Sequence, residues 1–204
     1  MNWYRSPLTD RVQILSLLGC SPEVLEATAA IGDHVREGSS NQQLDAIDRL
    51  ERKLVHAKQH VPPAEPSNTI ASSSSDNTAD VAELYRLAGL IYLYRACKSL
   101  PSTSPRVKEA IESGFAILRN LTTCDRPFPL LIIGCEARTD EDRLIVLDLI
   151  RRSRAHRKIG NLGVAKRFVE AYWAQSDLDT GDALGYVQKF DAIISASEML
   201  PSFA

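Results

Sequence analysis

Along most of this chain apolar residues recur every three or four positions, the spacing of a helix that buries one face. Val12, Ile14, Leu15, Leu17 and Leu18 are too dense for an exposed face and predict a short lead-in helix from Pro7 to Leu18, broken by Gly19. Ser21 followed by Pro22 reads as an N-cap with proline at the first helical position. The helix it opens carries Val24, Leu25, Thr28 and Ile31 and is predicted to end at Gly38. A second helix is predicted from Asn41 to Gln59, with Leu44, Ile47, Leu50, Leu54 and Val55 on one side and Asp48, Arg49, Glu51, Arg52 and Lys53 on the solvated other. From Ala79 to Lys98 the apolar positions nearly encircle the helix, which predicts a central element. Ser104-Pro105 starts the next helix, with Val107, Ile111, Phe115 and Leu118. Further helices follow over Phe128–Ala137, Asp140–Lys158, Asn161–Gln175 and Asp182–Met199. No segment sustains the period-two alternation of a strand, so the pattern predicts an all-α fold, an irregular bundle of about seven to nine helices.

One stretch breaks the pattern. Residues 60–78 hold Pro62, Pro63 and Pro66, then Ser72 to Ser75, then Asp76 and Asn77, with almost nothing to bury. Such a composition cannot offset its ordering entropy, which predicts a flexible loop. Helical periodicity resumes on both sides, so the loop reads as an insertion within one domain spanning 1–204.

The chain is organised around residues 127–146. An apolar run, Phe128 to Ile133, leads into Gly134-Cys135-Glu136-Ala137, where the small Gly-Cys step lets another helix approach closely. Glu136 must reach water or find a cation. Thr139 followed by Asp142 reads as a capping-box start for the next helix. Arg143, just inside that helix, is the expected partner of Glu136, in a buried ion pair locking the two helices.

These residues also carry a resemblance. Phe128-Pro129-Leu130, Gly134 to Ala137 and Asp142-Arg143 resemble the signature of the fungal-specific transcription factor domain, the helical regulatory half of zinc binuclear cluster activators. Three further stretches agree in order: Leu18-Gly19-Cys20-Ser21-Pro22-Glu23-Val24-Leu25, Leu87-Ala88-Gly89-Leu90-Ile91-Tyr92-Leu93-Tyr94-Arg95, and Gly160-Asn161 with the later Trp173. The resemblance spans roughly residues 17–175. Its structural signature here is Gly134, Cys135, Glu136, Asp142, Arg143 and Trp173. It implies a nuclear regulatory domain that senses an effector and controls activity. The implied partners are a small-molecule effector or a coregulator protein, with homodimerisation open, and neither membrane nor cofactor is implied. DNA would be reached only through a zinc cluster, which needs six closely spaced cysteines. This chain has four, Cys20, Cys97, Cys124 and Cys135, and so lacks that cluster.

Composition narrows the picture. Hydrophobic residues make up 44% of the 204, enough for a substantial core. The formal net charge of -2 provides no global attraction to nucleic acid or membrane. The cysteines lie far apart, none in Cys-x-x-Cys spacing, as expected of reduced, mostly buried thiols in an intracellular protein. The start, Met1-Asn2-Trp3-Tyr4-Arg5, lacks a signal peptide's apolar core, and no run is long enough to span a membrane.

Chemistry-bearing clusters are few. Arg151, Arg152, Arg154, His156, Arg157 and Lys158 could touch phosphates, but they sit at a predicted helix C-terminus, where the macrodipole favours cations. Tyr85, Tyr92 and Tyr94 could line an effector pocket, yet tyrosines at helical spacing usually fill a core. Asp140, Glu141 and Asp142 lack the spacing of the metal-binding motif of terpene cyclases, and capping accounts for them. His34, His56, His60 and His156 make no constellation. No phosphate loop, nucleophile elbow or acid/base pair is visible, so no catalytic, metal or cofactor residues are assigned. The competing reading is a stand-alone helical ligand-binding protein or small enzyme on the same scaffold, which a deep pocket with convergent polar groups would favour. Limited proteolysis is expected to cut first within residues 60–78; survival of that stretch under conditions that degrade the helices would contradict the loop assignment.

Overall fold

The computed structural model describes residues 11–15, 18–37, 41–61, 75–156, 160–178 and 185–196. Among them lie eight α-helices and no strand, an all-α fold as the periodicity predicts. They are α1 (Pro22–Glu37), α2 (Asn41–His56), α3 (Ser75–Tyr92), α4 (Pro105–Asn120), α5 (Pro127–Cys135), α6 (Asp140–His156), α7 (Gly160–Leu178) and α8 (Tyr186–Ala196). A π-helical turn, Leu93–Cys97, follows α3. The chain divides into two compact units, residues 1–90 and 91–204.

In the first unit α1 packs on α2. Val24, Ile31, Leu54, Leu84 and Ala88 are fully buried there. Gly89 lets α3 come close: a Cβ at that position would stand 3.1 Å from Thr28 Oγ1 and 3.3 Å from a Leu54 methyl. Polar ties fix the register. Ser21 N–H donates to Gln59 Oε1 (2.9 Å), and Gln59 Nε2 donates to the Ala82 carbonyl (2.6 Å). Arg86 Nη1 reaches the Leu54 carbonyl at 3.1 Å, near the end of α2. The helix expected to run to Gln59 therefore stops at His56, and Gln59 serves as a bridge instead.

The expected lead-in helix from Pro7 to Leu18 is corrected over the residues described. Arg11 and Val12 are helical, but Gln13 and Leu15 form isolated backbone bridges with His60 and Cys20. Ile14 N–H donates to His60 O and His60 N–H to Val12 O, both at 2.9 Å, so these backbone groups are used across the chain rather than along a helix. His60 is thus held in place, and Ser75–Thr78 already belong to α3; residues 62–74 of the expected loop, like Gly38, lie outside the described residues.

In the second unit α5 sits at the centre. All nine of its residues are buried, and α4, α6 and α7 pack around it. Such a helix reads as continuous apolar sequence rather than as a stripe, which is why Phe128 to Ile133 shows no polar face. Pro127 opens it without loss of a hydrogen bond, since the first-turn N–H groups have no helical acceptor. Gly134 marks the closest approach: a Cβ there would stand 3.2 Å from Val146 of α6 and 3.3 Å from Val169 of α7. The capping box of α6 forms with a twist. Asp142 N–H donates to Thr139 Oγ1 (3.1 Å), but the Asp142 carboxylate accepts the Thr139 hydroxyl (2.9 Å) and Arg119 Nη2 (3.0 Å) rather than the Thr139 N–H.

The two glycine environments predict opposite outcomes. Gly134→Val should cost about 1–3 kcal/mol by overpacking the α5–α6–α7 junction. Gly32→Ala, in α1 where nothing lies within 4 Å of the added carbon, should stabilise by up to about 1 kcal/mol. Urea unfolding of both variants checks the pair; a neutral Gly134→Val would mean that the junction is loose.

Candidate functional site

The apolar helix α5 ends in a carboxylate. Glu136 has no side-chain exposure, and its Oε1 accepts from Arg95 Nε at 2.9 Å. Its Oε2 takes no hydrogen bond, and Arg138 Nη2 stands 3.9 Å away. Arg95 belongs to the π-helical turn, whose Lys98 N–H donates to Leu93 O at 3.1 Å. Arg95 Nη1 donates to the Leu100 carbonyl at 2.8 Å. Between them Ser99 takes a left-handed backbone conformation (φ 51), which costs a non-glycine residue on the order of 1–3 kcal/mol and persists only where its surroundings impose it. The Arg95 guanidinium lies 5.0 Å from the Tyr186 ring centre, within cation–π range.

Tyr186 opens α8 and joins a ring cluster: its ring centre is 4.7 Å from Phe190 and 6.2 Å from Tyr172, and Phe168 lies 5.0 Å from Phe190. The Tyr186 hydroxyl is buried and has no hydrogen-bond partner. Burial, with the Glu136 charge adding to it, pushes the phenols of Tyr172 and Tyr186 up. For Arg95, burial pulls the other way, but the Glu136 carboxylate outweighs it and the guanidinium is held above its usual value. Above this cluster opens a cleft of about 350 Å³. Among the described residues, Arg95, Ser99, Leu100, Tyr186, Gln188 and Lys189 are part of its lining.

The expected pair of Glu136 with Arg143 is corrected: the two find different partners. Arg143 donates from Nη1 and Nη2 to Asp177 of α7, at 2.9 and 2.6 Å. Its guanidinium lies 5.4 Å from the Trp173 ring centre, and Trp173 Nε1 donates to the Gly134 carbonyl at 2.8 Å. The hydrogen bond from Arg143 holds the Asp177 carboxyl below its ordinary value. The signature residues therefore form two devices. Gly134, Trp173 and Arg143 fasten α5, α6 and α7, with Asp142 capping α6; Glu136 faces the π-helical turn. Cys135 is buried beside it, and burial raises its thiol. Burial also raises Cys97 to about 11 and Cys124 to about 12, so none of these three is an activated nucleophile.

Other candidates resolve towards structure. Arg151 and Arg152 both pair with Asp148, and Arg152 Nη1 also reaches the Leu121 and Thr122 carbonyls; Arg157 and Lys158 lie outside the described residues. Tyr85 and Tyr94 are buried, and Tyr92 meets the Phe128 ring edge at 6.4 Å. Neither Tyr92 nor Tyr94 is among the residues lining the cleft; Tyr186, which the sequence reading did not single out, is. A signal for its helix was present: Gly185 followed by Gln188 is a glycine N-cap with glutamine at N3, and Gln188 Oε1 accepts the Gly185 N–H at 3.0 Å. Among the described residues no group of three or more His, Cys, Asp or Glu is placed to hold a metal, and no helix is long and apolar enough to cross a membrane.

The described residues thus form an all-α fold with a buried, charge-paired helix end and a small cleft beside it. The fungal-specific transcription factor domain family matches residues 1–191, and the chain belongs to it. This is a family of transcription-factor domains, not of enzymes, and places the chain in transcription regulation. Over 129 residues it is 36% identical to the transcription factor iacI of Pestalotiopsis fici, a match covering 63% of this chain and 34% of that protein. The matched stretch is thus about a third of the relative's length. No solved structure matches.

Arg95→Met should cost about 3–5 kcal/mol, because it strands the Glu136 carboxylate in the core. The double variant Arg95→Met/Glu136→Leu should recover most of that loss, as measured by denaturant unfolding. Equal losses in the single and double variants would show that packing, not charge, sets the cost. Asp177→Asn should matter far less. Its folded carboxyl is depressed, so its contribution is present above the ordinary carboxylate range and fades as pH falls through the folded value.

Proposed function

We propose that this chain is the effector-sensing, activity-controlling domain of a fungal zinc-cluster transcription factor. On this reading a separate zinc cluster contacts DNA, the protein acts in the nucleus, and residues 1–204 work as one regulatory domain. The observation that carries the proposal is the cleft over Arg95, Glu136 and Tyr186. Pocket, strained backbone and unpartnered buried polar atoms coincide there, as they do where proteins hold ligands. Family membership and the similarity to a transcription factor support the regulatory half of the reading. The sensing half rests on the cleft. The cleft would equally suit a stand-alone ligand-binding protein or small enzyme, but the family weighs against that alternative.

The test joins the chain to an unrelated DNA-binding domain and reads a reporter gene in a fungal host. Lys189→Glu and Gln188→Ala, both in the cleft, should change reporter output by roughly fivefold or more. Lys166→Met, on the partly exposed face of α7, should leave it unchanged. Circular dichroism of each variant separates lost regulation from lost fold. Unchanged output from both folded cleft variants would overturn the sensing assignment.

A further inference from the structure

The loop between the π-helical turn and α4 ends in a hydroxyl that its helix does not use. Ser104 precedes Pro105, which holds it extended (φ -59, ψ 135) at the N-cap of α4. An N-cap serine ordinarily accepts a hydrogen bond from the first turn, but the Ser104 side chain makes no cap bond. That first turn contains no acidic residue; Arg106 and Lys108 stand in it, with Lys108 Nζ 3.7 Å from Glu112. Helix dipole and side chains therefore carry the same positive sign there. A second observation comes from another element. Arg138, between α5 and α6, donates from Nη2 to Ser102 Oγ at 3.0 Å, with its side chain 53% exposed. Ser102 and Ser104 share one turn, closed by the Ser104 N–H on the Pro101 carbonyl at 2.9 Å. A guanidinium thus already reaches across to the serine turn.

The chain has three Ser-Pro steps and no Thr-Pro step. Ser6-Pro7 lies outside the described residues, and Ser21 is fully buried. At the third step Thr103, Pro105 and Arg106 are exposed, and residues 98–104 are not helical. The step is open to an enzyme that reads a hydroxyl followed by proline.

We propose that Ser104 is a phosphorylation site of a proline-directed protein kinase, and that Arg138 and the first turn of α4 hold the phosphate once it is added. In the transfer, Ser104 Oγ bonds to the γ-phosphorus of a nucleoside triphosphate and the bond to the bridging oxygen breaks. The nucleoside diphosphate leaves, and the hydroxyl proton passes to the kinase's base. The product brings about -1.5 to -2 charges and strong acceptor oxygens to a helix start without a side-chain cap. Arg138 also stands 3.9 Å from Glu136 Oε2, and Ser99, Leu100 and Pro101 of the same loop line the cleft. The phosphate fixes this loop against the α5–α6 connection, beside the buried ion pair. The site does not depend on the cleft's taking a ligand.

The test treats the full chain with magnesium ATP and a purified proline-directed kinase, then maps the phosphate by mass spectrometry of a digest. Ser104 should carry it, and Ser104→Ala should lose it. No incorporation, or incorporation elsewhere with Ser104 untouched, would overturn the site. Docking is read in a Ser6→Ala chain, so that Ser104 is the modified step. Phosphorylation should raise the thermal midpoint by about 2–4 °C. In Arg138→Met that rise should fall by half or more. Phosphorus-31 NMR gives a measure that needs no Arg138 variant: the phosphate should titrate at lower pH in the folded chain than in the chain unfolded by urea. An undiminished rise in folded Arg138→Met, or the same titration in folded and unfolded chains, would overturn the docking.

Discussion

A carboxylate with no exposed surface at the end of a fully buried helix is the constraint on which the second unit depends. An ionised carboxyl in such a place requires a cation and hydrogen bonds, or the helix end must move to water. Arg95 meets the requirement, and its position follows from the π-helical turn. The wider turn inserts a residue relative to α-helical spacing and so changes the direction in which Arg95 leaves the chain. The same guanidinium holds the Leu100 carbonyl, and the segment between the two is short enough that Ser99 adopts a left-handed conformation. Buried charge, widened helix and strained serine are thus one arrangement seen at three positions.

The second device runs through Trp173. Its N–H takes the Gly134 carbonyl and its ring face lies near Arg143, which grips Asp177 in a fork. Gly134 is required twice: its missing side chain admits Val146 and Val169, and its carbonyl is a buried acceptor. The exposed Arg143–Asp177 pair contributes orientation more than energy, as ion pairs in solvent generally do. The buried Arg95–Glu136 pair is the one whose disruption leaves a charge without water.

Much of this was legible in the sequence. Ser104-Pro105, Thr139 with Asp142, and the unbroken apolar run to Ile133 mark real helix starts and a real central helix, because capping and burial are local in their causes. That Glu136 needed a cation was also legible. Which cation was not. Arg143 lay nearby along the chain, but the true partner, Arg95, is separated by 41 positions and is brought in by tertiary packing and a π turn that no spacing rule foretells. Gln59 and Gln13 show the same limit: their segments exchange helical bonds for contacts with distant residues. Tyr186 lies within the helix expected over Asp182–Met199, but nothing local in the sequence separates a ring that faces a cleft from one that fills a core.

On the proposed reading, a ligand in the cleft would act on the same residues that hold the fold. A ligand shifts a conformational equilibrium only through unequal affinity for its states. Here the unequal feature is geometric. Arg95 and the first turn of α8 line one cleft only while the π-helical turn and that first turn are packed as seen. Ser99 carries backbone strain in that arrangement, and a bound ligand would favour it by bridging the two segments. On the proposed reading the binding energy would therefore be expressed as order at the junction of the turn with α8. Glu136 would couple that junction to the rigid core around α5.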